Sequence, residues 1–243
     1  MHDVYQKITE KSNAPARPRC KPVDAVRAPL LDLLFQMMVK VKICGITNAT
    51  DATFAVRAGA DALGFNFVPG SPRRIEPAKV KPIVMELPPF VASVGVFADS
   101  DPVKIIEIMD FCGLGYVQLH GHETPLVCEK LKGRKILKAI RIRSEEDLRE
   151  LQHYQVDGFL LDAYVEGLQG GTGVSFDWDI ARAASRFGKI ILAGGLRPEN
   201  VAEAVAAARP YGVDVASGVE EAPGKKSKRL VEAFIRNAKS VDL

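Results

Sequence analysis

The sequence predicts an α/β protein built as a single (β/α)8 barrel, or TIM barrel, and three observations lead to that fold class. From Val39 onward, short apolar runs rich in β-branched residues alternate with longer amphipathic stretches, as expected for βαβ units. The apolar runs are continuous, which is typical of parallel strands covered on both faces. About eight such units fit into the roughly 205 residues that follow residue 37, a compact but sufficient length for this barrel.

An open, doubly wound sheet is the alternative architecture. Such a sheet commonly has a GxGxxG turn after its first strand. Here the first strand ends in Cys44-Gly45-Ile46-Thr47-Asn48, which cannot form that turn. The barrel is therefore favoured, with a predicted domain over residues 38–243.

The elements of this barrel follow one another along the chain, and each predicted strand is short and apolar. The predicted strands are Val39–Cys44, Ala62–Phe67, Phe90–Phe97, Tyr116–His120, Ile136–Ile140, Gly158–Leu161, Ile190–Ala193 and Val213–Ala216. The helix-like stretches between them include Ala49–Ala58, Pro102–Phe111, Glu145–His153, Pro198–Ala208 and Ser227–Ala238.

Residues 1–37 differ from the rest of the chain. They contain four prolines and no clean helical or strand period. We expect either a disordered extension or an overlong start, with Met37 or Met38 as the true initiator. Four acidic residues and a single serine in this segment argue against a transit peptide.

Composition excludes several classes of function. The 33 Lys and Arg nearly balance the 30 Asp and Glu, giving a formal net charge of +3, so we expect no nucleic-acid partner. No stretch approaches the roughly 18 apolar residues of a membrane span, so we expect no membrane partner either. The four cysteines show no CxxC spacing, which favours a reducing compartment and predicts a cytoplasmic protein. The four histidines lack the spacing of metal ligands, so we expect no metal.

Two glycine-containing turns predict a phosphate site. Gly194 and Gly195 follow the seventh predicted strand, and Ser217 and Gly218 follow the eighth. Barrels often bind phosphate with these two loops, because glycine lets backbone N–H groups approach an anion. Tight turns without a ligand are the alternative, and the occurrence of two such turns together favours phosphate.

A thiol and a carboxylate at strand ends predict proton-transfer chemistry. Asp162 directly follows an apolar strand, where burial would raise its pKa and suit it to act as a general acid. A helix cap or a turn is the alternative for this residue. Cys44 ends the first strand and can act as a base if the following helix or nearby Lys42 lowers its pKa, whereas alone it would be read as an inert buried thiol.

Two further features belong to the predicted mouth of the barrel. Arg73 and Arg74 follow the second strand, and one of them can hold a substrate carboxylate bidentately, although surface charge is the usual role of arginine. The long Gly-rich loop over residues 163–175 can close over a substrate.

These residues stand in motifs that resemble those of the phosphoribosylanthranilate isomerase family. The resemblance covers about residues 39–240 in the family's order, and eight motifs in sequence make it very specific. The motifs are Val41-Lys42-Ile43-Cys44-Gly45-Ile46-Thr47, Gly59-Ala60-Asp61-Ala62-Leu63-Gly64-Phe65, Ser71-Pro72-Arg73-Arg74-Ile75, Val117-Gln118-Leu119-His120-Gly121, Leu160-Leu161-Asp162, Gly170-Gly171-Thr172-Gly173 with Phe176-Asp177-Trp178, Leu192-Ala193-Gly194-Gly195-Leu196 with Pro198-Glu199-Asn200-Val201, and Val213-Asp214-Val215-Ala216-Ser217-Gly218-Val219-Glu220.

The resemblance implies an isomerase of tryptophan biosynthesis that needs no cofactor. Such an enzyme converts N-(5-phosphoribosyl)anthranilate into 1-(2-carboxyphenylamino)-1-deoxyribulose 5-phosphate by an Amadori rearrangement. By position, Cys44 matches the family's general base, Asp162 its general acid and Arg73 the arginine that holds the anthranilate carboxylate. The two glycine turns match its phosphate loops. The family includes monomers and homodimers.

Two rival functions and one departure remain. The histidine-pathway isomerase runs the same chemistry on a related barrel, but its base at the first strand is Asp, where this chain has Cys44. A non-catalytic phosphate-binding barrel is the second rival, and the presence of both Cys44 and Asp162 argues against it. The family often has Asp where this chain has Ser227, and we expect Ser227 to cap the following helix equally well.

Overall fold

In a computed structural model of the protein, residues 38–142, 144–162 and 178–241 are described. The predicted N-terminal extension, residues 1–37, lies outside the described residues. So does the Gly-rich loop over residues 163–175 with its Thr172. The expectations for both segments stay predictions.

The described residues form eight parallel strands that pair in chain order and close into a barrel. This closure confirms the predicted fold class. Strand bounds agree with the sequence prediction to within one or two residues. The strands are β1 (Lys40–Cys44), β2 (Ala62–Asn66), β3 (Ala92–Phe97), β4 (Tyr116–Leu119), β5 (Lys135–Arg141), β6 (Gly158–Asp162), β7 (Ile190–Ala193) and β8 (Gly212–Val215).

Helices alternate with these strands in the described part of the chain. They are α1 (Ala49–Arg57), α2 (Pro77–Met85), α3 (Pro102–Cys112), α4 (Pro125–Lys130), α5 (Trp178–Ala184), α6 (Val201–Ala208) and α7 (Lys228–Lys239). The stretch Glu145–His153 is a 3-10 helix, not an α-helix. Its amphipathic spacing of three and four residues is compatible with both helix types.

Local chemistry sets several helix ends. The Asn48 Oδ1 accepts a hydrogen bond of 2.8 Å from the Asp51 N–H and caps α1. Asp101 caps α3 through its bond to the Val103 N–H, also 2.8 Å. Ser227 occupies the N-cap position of α7, but its hydroxyl makes no capping hydrogen bond. The expectation that Ser227 caps this helix as Asp would is therefore wrong.

Alternation of side chains along the strands separates two apolar layers. The larger layer lies between the strands and the helices and includes Val41 and Ile43 of β1. A small second cluster of Ala139, Leu160 and Ala193 comes from three neighbouring strands at alternate positions. Since Cys44 is two residues from Lys42 on β1, both side chains point to the same face of that strand, opposite to Ile43.

A short antiparallel hairpin follows β8 and was not predicted. It pairs β9 (Glu220–Ala222) with β10 (Lys225–Lys226). Its position after β8 brings Glu220 and Lys226 to the same end of the barrel as the ends of the parallel strands. Among the helices of the described residues, none has the length and apolar character needed to cross a membrane.

Candidate active site

The carboxyl ends of the eight strands form one rim, and the predicted site residues lie on it. Cys44 ends β1 and Asp162 ends β6. Gly194 and Gly195 directly follow β7, and Ser217 and Gly218 follow β8 after one intervening residue. In the order of the closed barrel, the two glycine turns lie between the thiol and the carboxylate. The predicted convergence on one mouth is therefore present, with the two glycine turns between Cys44 and Asp162.

The thiol of Cys44 is buried, not exposed as its predicted reactivity suggested. Only 8% of the residue is accessible to solvent. Burial raises the pKa of this thiol above its ordinary value of 9.0, although the ammonium groups of Lys42 and Lys226 work to lower it. The expected lowering by Lys42 is thus real in direction, but burial outweighs it. Cys44 can therefore accept a proton only in the fraction of molecules in which its thiol is ionised.

A buried ion pair lies directly below Cys44. The Nζ atom of Lys42 is 2.8 Å from Oδ1 of Asp214, and the two side chains are only 4% and 8% exposed. The pairing follows from the β1–β8 register, in which Lys42 faces Asp214. Burial acts to lower the pKa of Lys42, but Asp214 and Cys44 raise it by more, so Lys42 remains an ammonium ion.

A second cluster of charged side chains includes Arg73, which lies in the loop after β2. Its Nε and Nη2 donate hydrogen bonds of 2.9 and 2.7 Å to the two carboxylate oxygens of Glu220. Lys226 donates to the same carboxylate at 2.7 Å. The hydrogen bonds from Arg73 to Glu220 raise the pKa of Arg73. Burial works to raise the pKa of Glu220, but its bonds to Arg73 and Lys226 prevail and lower it.

This arrangement changes the expectation for the carboxylate clamp. Glu220 occupies the bidentate edge of Arg73 that a substrate carboxylate was expected to take. The side chain of Arg73 packs over Gly45, where an added Cβ would lie 2.6 Å from the Arg73 Cδ. Arg73 is therefore held beside Cys44, with its Nη1 edge turned away from the pair with Glu220. Arg74, its neighbour, pairs instead with Glu76 near the surface.

The opposite side of the rim carries a polar row that ends at Asp162. His120 Nε2 lies 3.7 Å from the Asp162 Oδ2, and His120 Nδ1 lies 2.9 Å from the amide Nε2 of Gln118. With that amide donating to Nδ1, the neutral imidazole carries its proton on Nε2, facing the carboxylate. The side chain of Asp162 is 18% exposed, so it is open to a ligand in the mouth and only partly desolvated.

The two glycine turns touch each other closely. Gly194 and Gly195 both have positive φ angles, 84° and 64°, which only glycine adopts without strain. Asn200 stabilises this loop by accepting a hydrogen bond from the Arg197 N–H and donating one to the Gly195 carbonyl. At Gly218 an added Cβ would lie 2.0 Å from the Leu196 carbonyl oxygen.

Substitution Gly218→Ala is expected to raise the KM for a phosphorylated substrate roughly tenfold or more, because the loop after β7 must move away from the new methyl group. We expect kcat to change less. Steady-state kinetics would measure both. Gly115→Ala is the matched control, since its added Cβ meets no atom closer than 3.7 Å. An unchanged KM in Gly218→Ala would show that these two turns do not hold the phosphate.

Sequence reasoning missed the partners of the predicted residues. Asp214 and Glu220 belong to a quoted motif, and Lys226 follows soon after, but none of the three received a role. A signal was present, because Lys42 and Asp214 are charged residues inside otherwise apolar strands. Within the described part of the chain, no cluster of three or more His, Cys, Asp or Glu residues can hold a metal ion.

Comparison with known proteins connects this chain to one family. A family model described as N-(5'phosphoribosyl)anthranilate (PRA) isomerase matches residues 41–237. The N-(5'-phosphoribosyl)anthranilate isomerase of Trichlorobacter lovleyi is 54% identical over 203 residues, which cover 83% of this chain and 98% of that protein. The protein of the same name from Pelobacter propionicus is 50% identical over 202 residues, covering 83% and 96%.

Solved structures agree with the sequence relatives. The crystal structure of phosphoribosyl anthranilate isomerase from Thermotoga maritima is similar with a TM-score of 0.77 and 44% identity, covering 84% of this chain and 100% of that one. A second structure, of the isomerase in complex with reduced 1-(o-carboxyphenylamino)-1-deoxyribulose 5-phosphate, has a TM-score of 0.75 and 42% identity, with the same coverage.

Proposed function

The chain belongs to the N-(5'-phosphoribosyl)anthranilate isomerase family, and from this premise we propose that Cys44 and Asp162 carry out the proton transfers of its reaction. The protein is an isomerase of tryptophan biosynthesis that rearranges N-(5-phosphoribosyl)anthranilate into 1-(2-carboxyphenylamino)-1-deoxyribulose 5-phosphate. One observation supports the proposal most directly. The thiol and the carboxylate lie on β1 and β6, on either side of two glycine turns suited to the phosphate.

Asp162 acts first, as the general acid. It donates a proton to the ribose ring oxygen while the bond between that oxygen and C1 breaks. The nitrogen lone pair forms a double bond to C1, which gives an open-chain protonated Schiff base. The partial exposure of Asp162 at the rim lets it reach a ligand, and the imidazole of His120 lies beside its carboxylate.

Cys44 acts second, as the general base. Its thiolate takes the proton from C2, the electron pair forms the C1–C2 double bond, and the positive charge on nitrogen is neutralised. The resulting enolamine becomes the ketone when its enol proton passes to solvent and C1 takes a proton from solvent. One turnover leaves Cys44 protonated and Asp162 ionised, so one proton must pass from the thiol to the carboxylate through solvent before the next.

Binding of the two ends of the substrate orients the sugar between these groups. The phosphate is assigned to the turns at Gly194, Gly195, Ser217 and Gly218, and the anthranilate carboxylate to Arg73. Since Glu220 occupies the Nε and Nη2 of Arg73, the remaining Nη1 serves the substrate. Energy from these remote contacts is used to hold C1, C2 and the ring oxygen in reactive positions.

Substitution Arg73→Met is expected to raise KM roughly 30-fold, because a charge-assisted hydrogen bond to a carboxylate contributes about 2 kcal/mol. We expect kcat to fall less, since this contact exists before and during the reaction. Arg74→Met is the matched control, because Arg74 makes its ion pair with Glu76 near the surface. Equal changes in the two variants would remove Arg73 from the carboxylate site.

Loss of substrate fluorescence, with phosphoribosylanthranilate generated in situ, tests the acid–base proposal as a whole. We expect turnover by the wild-type protein, and a large fall in turnover when either Cys44 or Asp162 is replaced. Turnover of the histidine-pathway aminoimidazole substrate at a comparable rate would instead favour that isomerase. Binding of phosphorylated ligands without any turnover would favour a non-catalytic barrel.

We further propose that residues 38–243 form the whole isomerase domain and that the protein works in the cytoplasm as a monomer or homodimer. The match to the Thermotoga maritima enzyme covers 100% of that chain, and one structure of that enzyme describes monomers generated from a dimeric form. A base that depends on a free thiol needs a reducing compartment, and Cys44, Cys112 and Cys128 are free in the described structure.

A further inference from the structure

The ion pair of Lys42 and Asp214 has no part in the proton transfers described above. Its atoms are 2.8 Å apart and both side chains are almost fully buried. Burying two charges costs several kcal/mol per ion before their attraction is counted, and replacing such a pair with apolar residues is often neutral or stabilising. The packing of the barrel therefore does not explain why this pair is there.

Lys42 also lies beside the thiol of Cys44. A Cβ added at Gly64 on β2 would lie 2.7 Å from the Cys44 Sγ and 3.1 Å from the Lys42 Cε. The two side chains thus pack together over Gly64, where a larger residue would displace them. The positive charge of the Lys42 ammonium, held 2.8 Å from Asp214, acts on the Cys44 thiol and works to lower its pKa.

We propose that Lys42, shared between Asp214 and Cys44, is the positioning residue that stabilises the thiolate form of Cys44. Asp214 holds the ammonium group under the thiol and competes with it for the same positive charge. The inference deepens the proposed function and rests on it, because a thiolate is needed only if Cys44 is the base.

The charges around Cys44 agree with this division of roles. Lys42 and Asp214 face it from β1 and β8, and Lys226 from β10. Arg73 lies beside it and is itself paired with Glu220. Burial raises the pKa of the thiol, Lys42 and Lys226 lower it, and Asp214 raises it. The two members of the ion pair therefore act on the thiol in opposite directions, and that opposition can be measured.

The test compares two variants. One is Asp214→Asn, and the other combines Asp214→Asn with Lys42→Met, which removes both charges and leaves no unpaired buried ion. The rate of Cys44 alkylation by iodoacetamide is measured at fixed pH, by mass spectrometry of the peptide that contains Cys44, so that the other thiols do not interfere. This rate follows the thiolate fraction. We expect the double variant to react roughly tenfold more slowly than wild type, which corresponds to a pKa higher by about one unit. Asp214→Asn alone should react faster than wild type.

Two outcomes would overturn the inference. If the thiol is alkylated faster than in wild type in both variants, the ion pair acts only by restricting access to the thiol. If the double variant reacts as fast as Asp214→Asn, from which it differs only at position 42, Lys42 does not stabilise the thiolate. Circular dichroism and thermal melting verify that the variants are folded. Lys42→Arg keeps the positive charge, and its Cys44 should be alkylated at a rate close to that of wild type.

Kinetics distinguish this inference from the proposed function. In the double variant, kcat/KM should fall and its increase with pH should move to higher pH. Full activity in Cys44→Ala would remove Cys44 from its role as base, whatever the alkylation rates. Equal alkylation rates in Asp214→Asn and the double variant, together with a large loss of activity in Cys44→Ala, would overturn the role of Lys42 alone.

Discussion

Cys44→Ala is expected to lower kcat/KM by about 10²- to 10⁴-fold, the range that a positioned general base contributes. Removing the thiol leaves no group at the end of β1 to take the C2 proton. Loss of phosphoribosylanthranilate fluorescence measures the effect. Cys128→Ala is the matched control, because it removes another free buried thiol, in α4, and should keep wild-type activity.

The pH dependence of the wild-type protein gives a second check on Cys44. Because burial raises the pKa of the thiol above 9.0, the thiolate is the minor form near neutral pH and its fraction grows as pH rises. The rate of C2 proton removal should therefore increase with pH, by up to tenfold per unit, over the range in which Asp162 still holds the proton that it must donate. The residual activity of Cys44→Ala should lack this increase. A Cys44→Ala variant with wild-type kcat/KM would contradict the assignment of the base.

Asp162→Asn is expected to reduce kcat by about a thousandfold or more, because an amide has no proton to give to the ribose ring oxygen. The substitution preserves the shape of the side chain and so should leave the Kd of a reduced product analogue within about threefold of the wild-type value. Calorimetry would measure that Kd, and the fluorescence assay would measure turnover.

Asp110→Asn is the control for this second substitution. Asp110 lies at the surface in an ion pair with Arg134, and an exposed pair of this kind contributes little to stability. We expect unchanged turnover there. If Asp162→Asn lost turnover and analogue binding together, the carboxylate would be organising the mouth of the barrel, not donating a proton.

Much of the fold was predictable because buried parallel strands leave a simple trace in a sequence. The runs at Ile190–Ala193 and Gly158–Leu161 were located to within one residue, since nearly every position in them is apolar. The third strand begins two residues later than predicted, because Phe90 is apolar but 98% exposed. An apolar residue at a strand entrance cannot be told from a buried one by its type alone.

The partners of the site residues were not predictable by the same reasoning. Lys42 and Asp214 are 172 positions apart in the chain, and Arg73 and Glu220 are 147 apart. Their contacts depend on barrel closure and on the hairpin after β8, neither of which a local pattern contains. Strand-end positions could be predicted for Cys44 and Asp162, because the end of an apolar run is visible in the sequence.

The carboxylate of Glu220 orders the cations at the mouth of the barrel before a substrate binds. Without a nearby anion, Arg73 and Lys226 would repel each other, and each would sample many conformations. Glu220 holds both with hydrogen bonds of 2.7 to 2.9 Å, so little conformational entropy remains to be lost when an anionic ligand arrives. Arg73 and Lys226 thus lose this conformational entropy when the protein folds, so the binding energy of a ligand does not have to offset that loss.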